Sequence, residues 1–127
     1  MIQQNLGEIL QVIEVVAPAR KTATANGSGI DIRDYVGDLK VVLSSSAGGG
    51  TAPTLDVKLQ DSDSSGGTYA DISGAAFTQV TGAAASTQSL TIDADAVKQF
   101  IRAVITIAGT SPTFDMALGA VGVKQVR

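Results

Sequence analysis

The chain has 127 residues, a formal net charge of −3 and no cysteine, and 44% of its residues are hydrophobic. These values favour one folded domain with a core of ordinary size, and they exclude disulfide bonds and thiolate metal sites. The acidic balance disfavours binding to a nucleic-acid backbone, and the absence of tryptophan disfavours a platform for sugars.

The N-terminal segment carries apolar residues at intervals of three and four, which would place them on one face of a helix. Its β-branched residues suit a strand equally well, and Pro18 is expected to end either element. Two roles are open for the apolar stripe. It packs on its own domain, as terminal elements more often do, or it forms an arm that docks on a neighbouring subunit, which makes it a candidate interface. The candidate interface residues are Ile2, Leu6, Ile9, Leu10 and Ile13.

This segment lacks the basic start of a secretory signal, and no apolar run reaches membrane-spanning length. The expected setting is therefore the cytoplasm of the producing cell, with no membrane partner. We divide the chain into a terminal element or arm, residues 1–18, and a single β-sandwich domain, residues 19–127.

After Pro18, short apolar runs alternate with Gly, Ser, Thr, Asn and Asp, which is typical of strands joined by turns. Residues 39–43 are a strand candidate, and residues 44–50 are expected to form a flexible loop. Residues 55–60 alternate strictly, which predicts that Leu55, Val57 and Leu59 face the core. Shorter strands are expected at residues 69–72, 77–80 and 90–92.

Two longer strands are predicted near the C-terminus. Residues 100–107 have a wholly apolar face of odd-numbered positions, and residues 114–126 place a second apolar set on one side. The total of roughly seven to nine strands predicts an all-β fold: an antiparallel β-sandwich resembling a jelly roll, with a short N-terminal arm or helix. Few aromatic residues and abundant Ala and Gly predict a thin core, so we expect a homo-oligomer, with a trimer favoured.

The sequence offers little for catalysis. It contains no histidine, which removes the commonest general base and every Ser-His or Cys-His pair. We predict no catalytic, cofactor or metal site, and we expect the protein not to be an enzyme. The acidic pairs lie at predicted turns or strand ends, where Asp accepts hydrogen bonds from backbone N–H groups, and we interpret them as turn residues: Asp31 with Asp34, Asp61 with Asp63, and Asp93 with Asp95.

Three further motifs have structural interpretations. Residues 61–66 copy the opening of a calcium loop, but Ile72 stands where a bidentate Glu is needed, so a solvated hairpin loop is expected. The glycines at 48–50 lack the Gly-Lys-Ser/Thr of a phosphate cradle. Arg20 and Lys21 are expected to be a solvated pair, whereas Arg102, inside a strand, is expected to form a structural ion pair.

Three segments together resemble small head proteins of tailed bacteriophages: LDVKLQDSD at residues 55–63, GTYADI at residues 67–72 and RAVITIAGTSP at residues 102–112. The likeness spans roughly residues 39–123 and transfers no site residue. It implies a capsid decoration or cement subunit on the outside of the phage head, made in the host cytoplasm. The implied partner is the major capsid protein, and the acidic balance leads us to expect no nucleic-acid partner.

Two alternatives remain open on the sequence. Another head or tail structural subunit would show the same strand pattern. A carbohydrate-binding β-sandwich module is the alternative from a different functional class, although the absence of tryptophan counts against it.

Overall fold

The computed structural model describes residues 10–124, which form nine β-strands and no helix. The all-β class predicted from the alternating apolar runs is confirmed. The strands are β1 (Leu10–Lys21), β2 (Ala25–Asn26), β3 (Ile30–Asp31), β4 (Tyr35–Ser45), β5 (Gly49–Ser62), β6 (Ala70–Ala76), β7 (Val80–Thr81), β8 (Ser86–Asp93) and β9 (Phe100–Lys124).

The strands form two antiparallel sheets that share β9. In the sheet that we call sheet A, the order is β1-β9-β4-β8, and it uses the second half of β9. In sheet B, the first half of β9 lies between β5 and the short strands β2 and β3, and β5 pairs with β6 and β7 on its other side. The result is the predicted antiparallel β-sandwich, of jelly-roll-like type.

The core lies between the two sheets and follows the alternation of the sequence. In β5, Leu55, Val57 and Leu59 are 0%, 2% and 0% exposed, as their spacing predicts. The buried side chains of both sheets belong to one hydrophobic cluster, to which β9 contributes from both halves, with Ile101 and Leu118 as examples. One core therefore holds the described domain together.

A backbone bend allows β9 to serve both sheets. Opposite β5, its register shifts twice between Gly49 and Thr54, and positive φ angles occur at Gly109 (120°) and Ser111 (50°). A side chain at Gly109 would meet the Ala52 carbonyl oxygen at 2.8 Å, so this position requires glycine both for its φ and for the close approach of β5. The sequence indicated two separate strands, but the structure has one strand with a bend.

The N-terminal segment, where described, is a strand that continues through Pro18. The helical alternative is wrong for residues 10–16, and so is the prediction that Pro18 ends the element. Pairing with β9 resumes at Ala19 and continues to Lys21, after register shifts between Glu14 and Val16 and between Val16 and Ala19. Proline is tolerated in an edge strand, at an irregularity where its missing N–H breaks no ladder. The proposed boundary between residues 18 and 19 thus falls inside β1.

Two loop predictions need correction. The expected flexible loop at 44–50 is shorter, because β4 continues to Ser45 and β5 begins at Gly49. The expected strand at 77–80 is reduced to β7, although Phe77 is 8% exposed and joins the core from outside a strand.

Candidate assembly surface

The candidate interface residues lie at the start of the chain, and the structure describes two of them. Leu10 is 36% exposed and pairs with Val123 of β9, whereas Ile13 is half-buried and packs against the core cluster. Because β1 is a strand, these positions point to opposite faces of sheet A, and the helical stripe does not join them. Ile2, Leu6 and Ile9 lie outside the described residues.

The side chain that stands out on this strand is Val12, which is 82% exposed. Its register partner in β9 is Val121. The next pair with side chains on the same face of the sheet is Leu10 with Val123. Val123 also pairs with Val36 of β4, so these side chains share one face of sheet A. We call this set the outer strip: Leu10, Val12, Val36, Val121 and Val123.

Sequence reasoning did not single out Val12, because a helical period was used for the N-terminal segment. A strand period over residues 10–15 separates Val12 and Glu14 from Ile13 and Val15, the face that the structure buries. The signal was therefore present in the alternation.

A shallow apolar groove of about 190 Å³ borders the outer strip. It lies at the register shifts of β1 and is lined by residues that include Val12, Pro18 and Leu118. The outer strip and this groove meet at Val12, and the charged Glu14 and Lys40 lie beside them. Isolated exposed apolar residues are common on proteins, whereas a contiguous area is typical of an interaction surface.

An ion pair marks the far end of β1. Arg20 donates two hydrogen bonds to the Asp115 carboxylate, Nε to Oδ1 at 2.8 Å and Nη2 to Oδ2 at 3.1 Å, directly across the register from it. These bonds lower the pKa of Asp115 and raise the pKa of Arg20. Arg20 is exposed to solvent, as expected, and it also forms an ion pair that the sequence did not predict, which water screens.

A second polar network lies on sheet B and corrects the prediction for Arg102. Arg102 forms no ion pair within residues 10–124. Instead its Nε and Nη2 donate to Gln60 Oε1 at 3.0 and 2.8 Å, and its guanidinium lies 4.2 Å from the centre of the Tyr69 ring. Gln60 donates in turn to Asp71, which also receives a hydrogen bond from Lys58. Both donors lower the pKa of Asp71, Gln60 more strongly.

This network ties three strands together through their side chains. Gln60 of β5 is the register partner of both Asp71 in β6 and Arg102 in β9. Stacking on Tyr69 and hydrogen bonds to an amide replace the carboxylate that was expected for Arg102. These side-chain contacts stabilise the pairing of β5 with β6 and β9.

In each acidic pair, at least one carboxylate accepts a hydrogen bond from a backbone N–H, as its predicted place at a turn or strand end indicated. Asp31 accepts from the N–H of Arg33 at 2.9 Å, and Asp93 accepts from the N–H of Asp95, also at 2.9 Å. Asp61 accepts from the N–H of Lys98 at 3.1 Å. These contacts are side-chain to backbone bonds that fix loops.

The calcium-like segment shows the contacts of a hairpin loop. The N–H of Gly67 donates to the Ser64 carbonyl at 3.1 Å, and the Tyr69 hydroxyl donates to the Ser65 carbonyl at 2.8 Å. No group of three or more His, Cys, Asp or Glu side chains that could hold a metal ion occurs in residues 10–124. Within the same range, no helix is long and apolar enough to cross a membrane.

The described surface thus carries an apolar strip on sheet A, formed by β1, β9 and the start of β4, and polar side chains that connect neighbouring strands. Neither the protein-family models nor the curated proteins contain a match to this sequence. Among solved structures, a chain in the structure of infectious bursal disease virus Gt strain is 14% identical, with a TM-score of 0.50 over 91% of this chain. A chain in the infectious bursal disease virus VP2 subviral particle is 12% identical over 91% of this chain, with a TM-score of 0.41. This chain spans 33% of the length of the first matched chain and 30% of the second. The likeness to the first concerns the fold.

Proposed function

We propose that this protein is a virion structural protein: a non-enzymatic capsid decoration or cement subunit that binds the outer surface of a phage head and stabilises it. Its proposed partner is the major capsid protein. Its proposed location is the exterior of the head, after synthesis in the host cytoplasm. The observation that carries this proposal is the outer strip, where Val12 is 82% exposed on a sheet whose opposite face is core.

The fold supports a role in assembly. A sandwich with a single core and side chains tying its strands together presents fixed surfaces, which a subunit needs when it binds many copies of a neighbour. The first matched chain comes from a virus structure and has this fold over most of the present chain's length. The sequence resemblance to phage head proteins independently favours the same class.

The surface also supports assembly over catalysis. The apolar outer strip borders an open groove. The charged groups described above form hydrogen bonds and ion pairs that connect strands or fix turns. A decoration subunit requires broad contacts, each weak, that act together when several subunits bind at once. We therefore place the function at subunit interfaces and expect the subunit to be a homo-oligomer, with three copies as the favoured number.

The residues proposed for contact with the shell are the candidate interface residues of the N-terminal segment, of which Leu10 and Ile13 lie in β1 and Ile2, Leu6 and Ile9 precede it. The most direct variant replaces Ile2, Leu6 and Ile9 with serine. A matched control replaces the polar neighbours Gln3, Gln4 and Asn5 with serine. Both leave residues 10–124 unchanged, so the buried Val15 and Val16 of β1 still complete the core.

The experiment adds purified protein to empty heads that lack it, followed by sedimentation of the heads. The parent chain and the polar control are expected to cosediment at saturation in numbers close to those of the shell protein, and to raise the temperature at which heads rupture. The Ile2, Leu6 and Ile9 variant is expected to stay in the supernatant. Absence of binding by the parent chain would refute decoration, whereas equal binding by both variants would refute only the assignment of those three residues.

A further inference from the structure

Asn26 and Gly27 form a dipeptide whose own groups can react with each other. The chain contains two asparagines, Asn5 and Asn26, and Asn26 is the one that glycine follows. The main-chain nitrogen after an asparagine can attack the carbonyl carbon of its side-chain amide, and glycine hinders this attack least because it has no side chain. Asn26 is exposed at the end of β2, so water reaches its amide.

The fold does not require glycine at position 27. Gly27 does not have a positive φ, and an added Cβ would lie 3.4 Å from the carbonyl oxygen of Ala103 and 3.5 Å from its nitrogen, the nearest described atoms. These are ordinary contact distances, so a methyl group is accommodated there. The variant G27A is therefore a control that keeps the fold and hinders the reaction.

We propose that Asn26 is a site of spontaneous deamidation, and that pairing of β2 with β9 holds the reaction back until this edge of sheet B opens. The inference goes beyond the proposed decoration role and does not depend on it. The co-reactant is water, and the side chain of Asn26 changes from an uncharged amide to a carboxylate.

The chemistry proceeds through a cyclic imide. The Gly27 nitrogen loses its proton to hydroxide and forms a bond to Cγ of Asn26. The bond from Cγ to Nδ2 breaks, and Nδ2 leaves as ammonia after taking a proton from water. Water then opens the five-membered ring: attack at Cγ gives aspartate, whereas attack at the main-chain carbonyl carbon gives isoaspartate, in which the main chain runs through Cβ and Cγ.

The folded chain opposes ring closure in two ways. The Gly27 N–H donates to the Ala103 carbonyl at 2.7 Å, so the proton that must leave is held in a hydrogen bond. Asn26 is paired with Val104, and closing the ring turns its Cα–C bond away from the extended conformation of a strand. Ring closure therefore requires β2 to separate from β9 first.

Thr24 fastens the start of β2 to β9. Its Oγ1 accepts a hydrogen bond from the N–H of Ile107 at 2.9 Å and donates one to the Ile107 carbonyl at 3.3 Å. β2 itself is two residues long, and short edge segments open with a smaller free energy than the whole domain. The rate of deamidation at Asn26 is therefore expected to follow the opening of this segment, which the contacts of Thr24 oppose.

Isoaspartate at this position is expected to weaken the sandwich. It adds one carbon to the main chain between Ala25, which pairs with the buried Ile105, and Gly27, so the contacts on the two sides of Asn26 cannot both keep their register. A cavity of about 250 Å³ beside Asn26 is also lined by Val16 of the core. Modified chains are therefore expected to unfold at lower urea concentrations.

Incubation in heavy-oxygen water at mildly alkaline pH, followed by trypsin and mass spectrometry, tests the proposal. Cleavage after Lys21 and Arg33 releases residues 22–33, which contain Asn26 as their one asparagine and no glutamine. Deamidation exchanges the amide nitrogen for a heavy oxygen, and isoaspartate separates from aspartate by chromatography. The reaction is expected in the parent chain, on the order of 100-fold faster when guanidinium chloride unfolds it, and lost in G27A over the same period.

Substitution of Thr24 tests the gate. T24V keeps the shape of the side chain and removes both hydrogen bonds to Ile107. It is expected to deamidate on the order of tenfold faster than the parent chain while folded, which corresponds to about 1.4 kcal/mol. The matched control is T22V, because Thr22 is exposed in the same segment, and it is expected to react like the parent chain. Melting temperatures check that both variants are folded during incubation.

Each arm has an outcome that contradicts the proposal. No deamidation of Asn26 in the unfolded parent chain, or equal rates in G27A and the parent chain, would overturn the site. A folded parent chain that reacts as fast as the unfolded one, or T24V reacting no faster than T22V, would overturn the gate. After incubation, the urea midpoint of the parent chain is expected to fall below that of equally aged G27A, and equal midpoints at high conversion would overturn the expected weakening.

Discussion

Substitution of Val16 by alanine tests whether β1 is part of the core or a detachable arm. Val16 is 8% exposed within the core cluster, whereas Val12 on the same strand is 82% exposed. Removing two buried methyl groups costs about 1.6 kcal/mol in transfer free energy, and the cavity raises this to about 2 kcal/mol. The same change at Val12 is expected to cost less than about 0.5 kcal/mol, because its side chain is already in water.

Urea unfolding monitored by circular dichroism measures both variants. The protein is kept dilute, and the series is repeated at a roughly tenfold higher concentration to separate folding from association. V16A should lower the urea midpoint with an unchanged slope, and V12A should match the parent chain at low concentration. Equal midpoints for V16A and V12A would refute the conclusion that β1 completes the core.

Three further predictions concern the rest of the sandwich. G109A should lower the free energy of unfolding by about 1–2 kcal/mol, because alanine is strained at a φ of 120°; an unchanged urea midpoint would contradict the bend in β9. R102M should cost about 1–2 kcal/mol through its lost hydrogen bonds and its contact with Tyr69, and R102K should cost less; equal midpoints for R102M and the parent chain would contradict the network. Since folding lowers the pKa of Asp71 and Asp115, their carboxylates stabilise the fold above about pH 4, and this contribution disappears as the pH falls through the lower folded pKa. The variant D71N/D115N should therefore lose less stability than the parent chain between neutral and acid pH, and parallel pH curves would contradict this.

The parts of the fold that could be predicted are those with strict alternation. In β5, polar and apolar residues alternate from Leu55 to Leu59, which places the apolar side chains on the core face. The structure buries both leucines fully. The bend of β9 could not be predicted, because the turn-like residues around Gly109 also suit a loop between two strands. The backbone of Ala52, which lies opposite Gly109 but far from it in the sequence, decides that these residues form a bend within one strand.

The exposed apolar residues of β1 could be predicted from the sequence only in part. Apolar residues at the N-terminus indicate a candidate interface, but the helical spacing groups Leu10 with Ile13 and leaves out Val12. The segment is compatible with both a helical and a strand period, and pairing with β9 decides between them. Arg102 shows the same limit, since Gln60 and Tyr69 reach it only through neighbouring strands and the loop beside them.

The central claim, that this protein decorates a phage head, is tested most directly by a cryo-electron microscopy reconstruction of the particle that carries it. The account predicts density for the nine-stranded sandwich on the outer surface of the head, repeated over the shell and in contact with the major capsid protein. Density for the sandwich confined to the tail or to the interior of the head, or its absence from the particle, would contradict the account.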